Sequence, residues 1–123
     1  MGREKQTVGK AGEDIARSYL LRKGYQVVAA NARTPLGEID LVARDKNTVV
    51  FVEVKTRRSS SLGPPTLSVT WVKRRSIIRN ALCYLKFYGL LRTVWRIDVI
   101  SVKLDASWKT EHIEHFISAV EDT

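Results

Sequence analysis

A single cysteine, Cys83, excludes an intramolecular disulfide and leaves a cysteine-based zinc site with too few ligands. Its place in a helical apolar pattern predicts a small core residue. No apolar run approaches the roughly 20 residues that a membrane-spanning helix needs, and Met1-Gly2-Arg3-Glu4-Lys5-Gln6 leads into no apolar signal segment. The expected location is therefore the cytoplasm, with no membrane partner. Negative charge is also scarce, because 13 Asp and Glu stand against 21 Lys and Arg, a formal net charge of +8. So short and basic a chain favours a polyanionic partner. Nucleic acid is the commonest, although an anionic membrane surface or a ribosome draws on the same field.

The remainder is ordinary for a globular protein, with 44% hydrophobic and 28% charged residues, which argues against a disordered or fibrous chain. A length of 123 residues suits one domain, 1–123, with a core of its own. No internal repeat and no long linker interrupts it.

Segment 7–23 reads as a helix: Ala11, Ile15, Ala16, Tyr19 and Leu20 recur near helical spacing, Thr7 offers an N-cap and Gly24 a stop. A short strand is expected over 25–30, then a loop over 31–36 containing Pro35. Two strands follow, 38–43 and 48–55, joined by a turn around Asp45-Lys46-Asn47. The second is apolar on both faces for most of its length, as a strand covered by helices on both sides must be. That predicts a layered α/β domain. Segment 56–65 is polar and rich in chain breakers and reads as a basic loop. A second helix over 68–88 carries Trp71, Ile78, Leu82 and Leu85 on one face, and strands at 94–102 and near 112–117 complete the chain.

If the hairpin turn has two central residues, Lys46 and Asn47, then Asp45 faces Thr48, Asp40 faces Glu53 and Glu38 faces Lys55. Strand alternation then gathers all four ionisable groups on one face. Two carboxylates directly opposed repel, and a hard divalent cation such as Mg²⁺ removes that penalty by binding their oxygens. Asp40 and Glu53 thus form a minimal metal site, with Lys55 in reach of a phosphate oxygen. In the first helix Glu13 lies on the small, apolar arc with Gly9, Gly12, Ala16 and Leu20, which places an acid toward the sheet. The structural alternative is a cross-strand ion pair between Glu38 and Lys55, with Glu13 bonded to a nearby cation.

Gly37-Glu38-Ile39-Asp40-Leu41-Val42 followed by Phe51-Val52-Glu53-Val54-Lys55-Thr56-Arg57 resembles the signature of the YraN-type family of small bacterial proteins. The likeness extends to Gly9-x-x-Gly12-Glu13-x-x-Ala16, Asn31-x-Arg33, Val69-Thr70-x-x-Lys73 and Arg96-Ile97-Asp98-Val99-Ile100, nearly the whole chain. That family is similar to the PD-(D/E)XK nuclease superfamily, with Holliday junction resolvases among the nearer relatives. The resemblance implies a restriction-endonuclease-like fold, a mixed central sheet flanked by helices (α/β/α). It further implies that Asp40 and Glu53 bind Mg²⁺ or Mn²⁺, that Lys55 assists the attacking water, and that Glu13 is an accessory acid. The superfamily's proline before the aspartate is Ile39 here, and the fold also hosts members that only bind. Many members of the fold are dimers, which leaves a homodimer open.

For the polymer, Arg57 and Arg58 continue out of the site, and Lys73, Arg74 and Arg75 crowd the start of the second helix, where cations oppose the helix dipole. His112 and His115 fall on opposite faces of a strand, which disfavours a joint metal role. Trp71 and Trp95 are expected in the core, and Trp108, among polar residues, is left open. The function expected is metal-dependent hydrolysis of DNA phosphodiesters, in branched or single-stranded substrates. The alternative is a DNA- or RNA-binding module of the same fold without turnover.

Overall fold

The computed structural model describes residues 7–58 and 71–120, with the side chains of residues 71 and 72 excepted. Helix α1 (Val8–Arg22) is followed by strands β1 (Gln26–Thr34), β2 (Gly37–Asp45) and β3 (Thr48–Arg58), helix α2 (Trp71–Phe87), and strands β4 (Trp95–Leu104) and β5 (Thr110–Val120). As expected, Thr7 caps α1: its hydroxyl accepts the Lys10 N–H at 3.0 Å. The strands form one sheet in the order β1-β2-β3-β4-β5, in which only β3 and β4 run parallel, joined through α2.

The apolar run of β3 is explained by its position. Val50 and Val52 pack with Ala11, Ala16 and Leu20 of α1, while Val49 and Phe51 pack with Ala81, Tyr84 and Leu85 of α2. The two helices thus cover opposite faces of a mixed sheet, the α/β/α layering of the restriction-endonuclease-like class. Gly12 permits the close approach of α1, because a Cβ there would lie 1.8 Å from Thr56 Oγ1.

Several boundaries differ from expectation. β1 continues through the segment read as a loop, and Thr56, Arg57 and Arg58 extend β3, opposite Val102, Lys103 and Leu104 of β4. Parallel pairing to β4 supplies the backbone partners that polarity alone did not reveal. The expected basic loop at 59–65 and helix start at 68–70 lie outside the described residues. Leu82, expected on the buried face of α2, is 37% exposed. Cys83 is half-buried rather than internal. Trp95 meets Phe51 edge to face at 6.1 Å in the core beneath α2, and Trp108 packs at the edge of the core beneath α1. No helix of the described residues is long and apolar enough to cross a membrane.

Candidate functional site

The hairpin register follows the expected pairing from Asp45↔Thr48 to Leu41↔Val52, and the ladder ends there. Beyond it β2 stays with β1, placing Glu38 opposite Arg33 rather than Lys55. The carboxylate of Asp40 replaces the missing ladder bond by accepting the Val54 N–H at 2.8 Å. A fork between β2 and β3 results, with Asp40 at its root.

Strict alternation also fails at this level. Ile39 and Val42 pack in the core beneath α2, whereas Leu41 packs in the core beneath α1. On the neighbouring strand, Ala29 and Ala32 both pack toward α2, and between them Asn31 adopts φ 52°. Asparagine tolerates this left-handed conformation better than most residues. The expected facing of Glu38 and Lys55 across the hairpin is therefore not formed, while Glu38 and Glu53 remain neighbours of Asp40. Glu53 reaches the α2 side, where Lys73 Nζ lies 3.2 Å from its Oε1.

Glu13 approaches from α1. With its amide nitrogen turned toward the acids, as two acceptor-only carboxylates require, Asn31 donates to Glu13 Oε1 at 3.0 Å and Glu38 Oε1 at 3.2 Å. Arg33 Nε adds a long contact to Glu38 Oε2 at 3.8 Å. Lys55 shares the face of Glu53 by alternation, is half-buried, and makes no ion pair among the described residues.

Burial, opposed by the Val54 N–H and reinforced by Glu53, Glu13 and Glu38, pushes the Asp40 carboxyl from 3.8 up to about 7. The four acids gather at the fork, with Lys73 paired to Glu53 and Arg33 at longer range from Glu38. Among the described residues no three His, Cys, Asp or Glu side chains are grouped so as to hold a metal ion by themselves. A hard cation that takes one or two carboxylates, with water and substrate phosphate for the rest, needs no such trio, and the oxygen donors of Asp40 and Glu53 suit it.

The basic residues divide. Lys73 sits over Glu53, half-exposed, rather than on a purely solvated face. Arg58 donates to the Ala106 carbonyl at 3.2 Å and lies 5.9 Å from the centre of the Trp108 ring. Arg57 is half-buried, and Arg74 Nε is buried with no hydrogen-bond partner among the described residues. Between residues 54 and 97 the sequence holds ten Lys and Arg and no Asp or Glu, so α2 is a wholly basic element beside an acidic fork.

Two groups of polar residues escaped the sequence reading. Asn80, buried in α2, accepts the Thr34 hydroxyl hydrogen bond and holds the β1–β2 turn that leads into Glu38. Farther along the α1 face, fully buried Asp98 accepts from Arg96 Nε at 3.0 Å and from the Ser118 N–H at 2.9 Å, and lies 2.8 Å from His115 Nε2. An ionised carboxylate only accepts, so His115 Nε2 carries the hydrogen, and its Nδ1 is left to face the Tyr19 hydroxyl at 3.4 Å. His112 instead pairs with Glu114 at 3.1 Å, so the two histidines serve separate partners, as their opposite faces predicted.

The family model described as uncharacterised protein family UPF0102 matches residues 12–102. A UPF0102 protein of Desulfosudis oleivorans is 48% identical over 100 residues, 81% of this chain and 81% of its own. One from Geobacter sulfurreducens is 45% identical over 114 residues, 93% of this chain and 88% of its own. Another, from Geobacter metallireducens, is 44% identical over 121 residues, 98% of each chain. The matched stretch contains Glu13, Asp40, Glu53, Lys55 and Asp98, and the chain belongs to the UPF0102 family, the YraN-type family that its motifs resemble.

Proposed function

We propose that this protein binds nucleic acid and hydrolyses DNA phosphodiesters with Mg²⁺ or Mn²⁺ at the fork between β2 and β3. The observation that carries the reading is geometric: Asp40, bonded to the Val54 N–H at the root of the fork, has Glu53, Glu13 and Glu38 as its acid neighbours. Repulsion within such a group is what a divalent cation relieves, and perturbed carboxyls such as that of Asp40 concentrate at functional sites. Asp40 and Glu53 would hold the cation through carboxylate oxygens, with Glu13 as an accessory acid. When bound, the cation supplies polarisation of the scissile phosphate and acidification of water. Lys55, half-buried and two residues from Glu53 on the same strand, would stabilise charge that develops on the phosphate. Asn31 fixes Glu13 and Glu38 relative to one another. The basic surface of α2, with Arg57 and Arg58 at the end of β3, supplies the field that draws in the polyanion.

The test is cleavage of labelled single-stranded, duplex and four-way-junction DNA with Mg²⁺ or Mn²⁺, wild type beside Glu53→Ala. Cutting that disappears in the variant is expected. One observation favours a second reading, a binding module without turnover: Lys73 already neutralises Glu53 at 3.2 Å. That reading requires metal-independent, salt-sensitive binding that Glu53→Ala leaves intact.

A further inference from the structure

Beside the acidic fork lies a cleft of about 230 Å³ between the β1–β2 turn and the end of α2, walled by Pro35, Cys83, Tyr84, Phe87 and Tyr88 with Arg33 along one side. Its rings are braced rather than loose. Tyr84 is buried and meets Phe51 edge to face at 5.5 Å, Tyr88 lies 4.5 Å from Tyr84, and Phe87 lies 5.0 Å from Tyr88. Yet Phe87 is 75% exposed and Tyr88 59% exposed. Fixed aromatic surface left open to water marks a binding place.

We infer that this cleft is a stacking subsite for an unpaired base of a single-stranded nucleic acid. The inference rests on the nucleic-acid reading above and narrows it to a substrate class. Three features favour this occupant. The cleft falls just below the roughly 300 Å³ at which drug-sized sites begin, a size suited to a single flat ring system. The one charged residue of its lining is a cation, Arg33, whose side chain is 87% exposed with only a long contact to Glu38 at 3.8 Å, and residues 54–97, which supply the aromatic wall, contain no acid. An aromatic floor with cationic edges matches a base and its phosphate, the pairing used in single-strand grooves. Finally, the cleft adjoins the fork through shared lining residues. Arg33, Thr34 and Pro35 also line the depression containing Glu38, and Glu38 lines a further recess with Glu53. A strand anchored by one base in the cleft therefore runs past Arg33 toward the acids.

The test is fluorescence anisotropy in EDTA with labelled oligo-dT and with a duplex of equal length, comparing wild type with the Phe87→Ala/Tyr88→Ala variant. The variant is expected to weaken oligo-dT binding about ten-fold while changing duplex affinity less than two-fold. Independently, wild type irradiated with an iododeoxyuridine-substituted oligo-dT is expected to crosslink on the tryptic peptides spanning residues 80–86 and 87–92, which carry the cleft's Cys83, Tyr84, Phe87 and Tyr88. Equal losses on both nucleic acids, no change on either, or crosslinks confined to other peptides would overturn the proposal. So would sedimentation showing a wild-type dimer that the variant converts to monomer, since a second copy would then fill the cleft. Because no divalent cation is present, failure of the cleavage assay leaves this result standing. Wild type that binds neither nucleic acid removes the subsite and the nucleic-acid reading together.

Discussion

The Val54 N–H donates to Asp40 Oδ2 at 2.8 Å across the point where β2 and β3 separate. A backbone donor that would otherwise be lost at the end of the ladder is thereby satisfied by a side chain. The same bond commits that side chain to a half-buried position among three other acids. Burial there raises the carboxyl, and the Val54 bond opposes that rise.

The first prediction concerns pH and stability. Burial, with Glu53, Glu13 and Glu38, raises the folded Asp40 carboxyl from 3.8 to about 7, so the folded state retains a proton that the unfolded chain releases. The stability linked to that proton is complete below pH 4 and is lost as pH rises through 7. Asp40→Asn keeps an acceptor for Val54 and never ionises. It is expected to be about 2 kcal/mol more stable than wild type at pH 8 and no more stable at pH 4, a figure discounted for partial solvent access. Urea denaturation at the two pH values measures this, and an equal effect at both would exclude Asp40 ionisation as the source.

A second prediction follows for divalent cations. Ligand at ten times its dissociation constant stabilises a folded protein by about 1.4 kcal/mol, which for a chain of this size raises Tm by several degrees. Mn²⁺ or Mg²⁺ at pH 7.5 is expected to give such a rise in wild type, and neither Asp40→Asn nor Glu53→Gln should show it. An unchanged rise in both variants would move the ion elsewhere on the surface.

Much of this geometry was legible beforehand. The turn at Lys46-Asn47 fixed the hairpin pairing, and the unbroken apolar run of β3 announced a strand covered on both faces. The exchange of faces at Asp40 was not legible, because period-two reading assumes alternation and nothing in Ala29-Ala30-Asn31-Ala32 signals the left-handed φ of Asn31. Glu38 was therefore assigned to Lys55 when its neighbours are Arg33 and Asn31. Asn80 and Asp98 were missed for a different reason. Apart from Arg96, two residues from Asp98 on β4, their partners come from other elements, His115 being 17 residues from Asp98 and Asn80 being 46 from Thr34, and no local pattern reports such contacts.

Gly12 ties helix position to the site. An alanine there brings its Cβ to 1.8 Å from Thr56 Oγ1 and 2.7 Å from Thr56 Cβ, so α1 must move away from β3. Gly12→Ala is expected to destabilise by about 2 kcal/mol, the range for overpacking, and to reduce any cleavage activity because Glu13 travels with the helix. Adding Thr56→Ala removes the nearest atom, and the double variant should recover part of the stability. A strictly additive double variant, measured by denaturation, would show that the two residues do not meet.

Asp98 offers the sharpest contrast between buried and exposed charge. Burial alone would raise its pKa, but hydrogen bonds from His115, Arg96 and the Ser118 N–H, with the Arg96 charge, outweigh burial and hold it below 3.8. Its contribution is therefore present above the unfolded value and disappears as pH falls through the lower, folded one. Asp98→Asn leaves Arg96 with only the longer pair to Asp45 at 3.5 Å, so the cost is expected at or below the lower end of the about 3–5 kcal/mol seen when one member of a buried pair is removed. Asp14→Asn, by comparison, disrupts only the exposed Lys10–Asp14 pair at 3.4 Å and is expected to change stability by less than about 0.5 kcal/mol. Chemical denaturation at pH 7 should separate the two variants clearly, and the Asp98→Asn deficit should shrink on acidification. Similar effects for both would mean that the Arg96–Asp98–His115 network does not stabilise the junction of β4, β5 and α1, and that its place in the fold must be sought in another property.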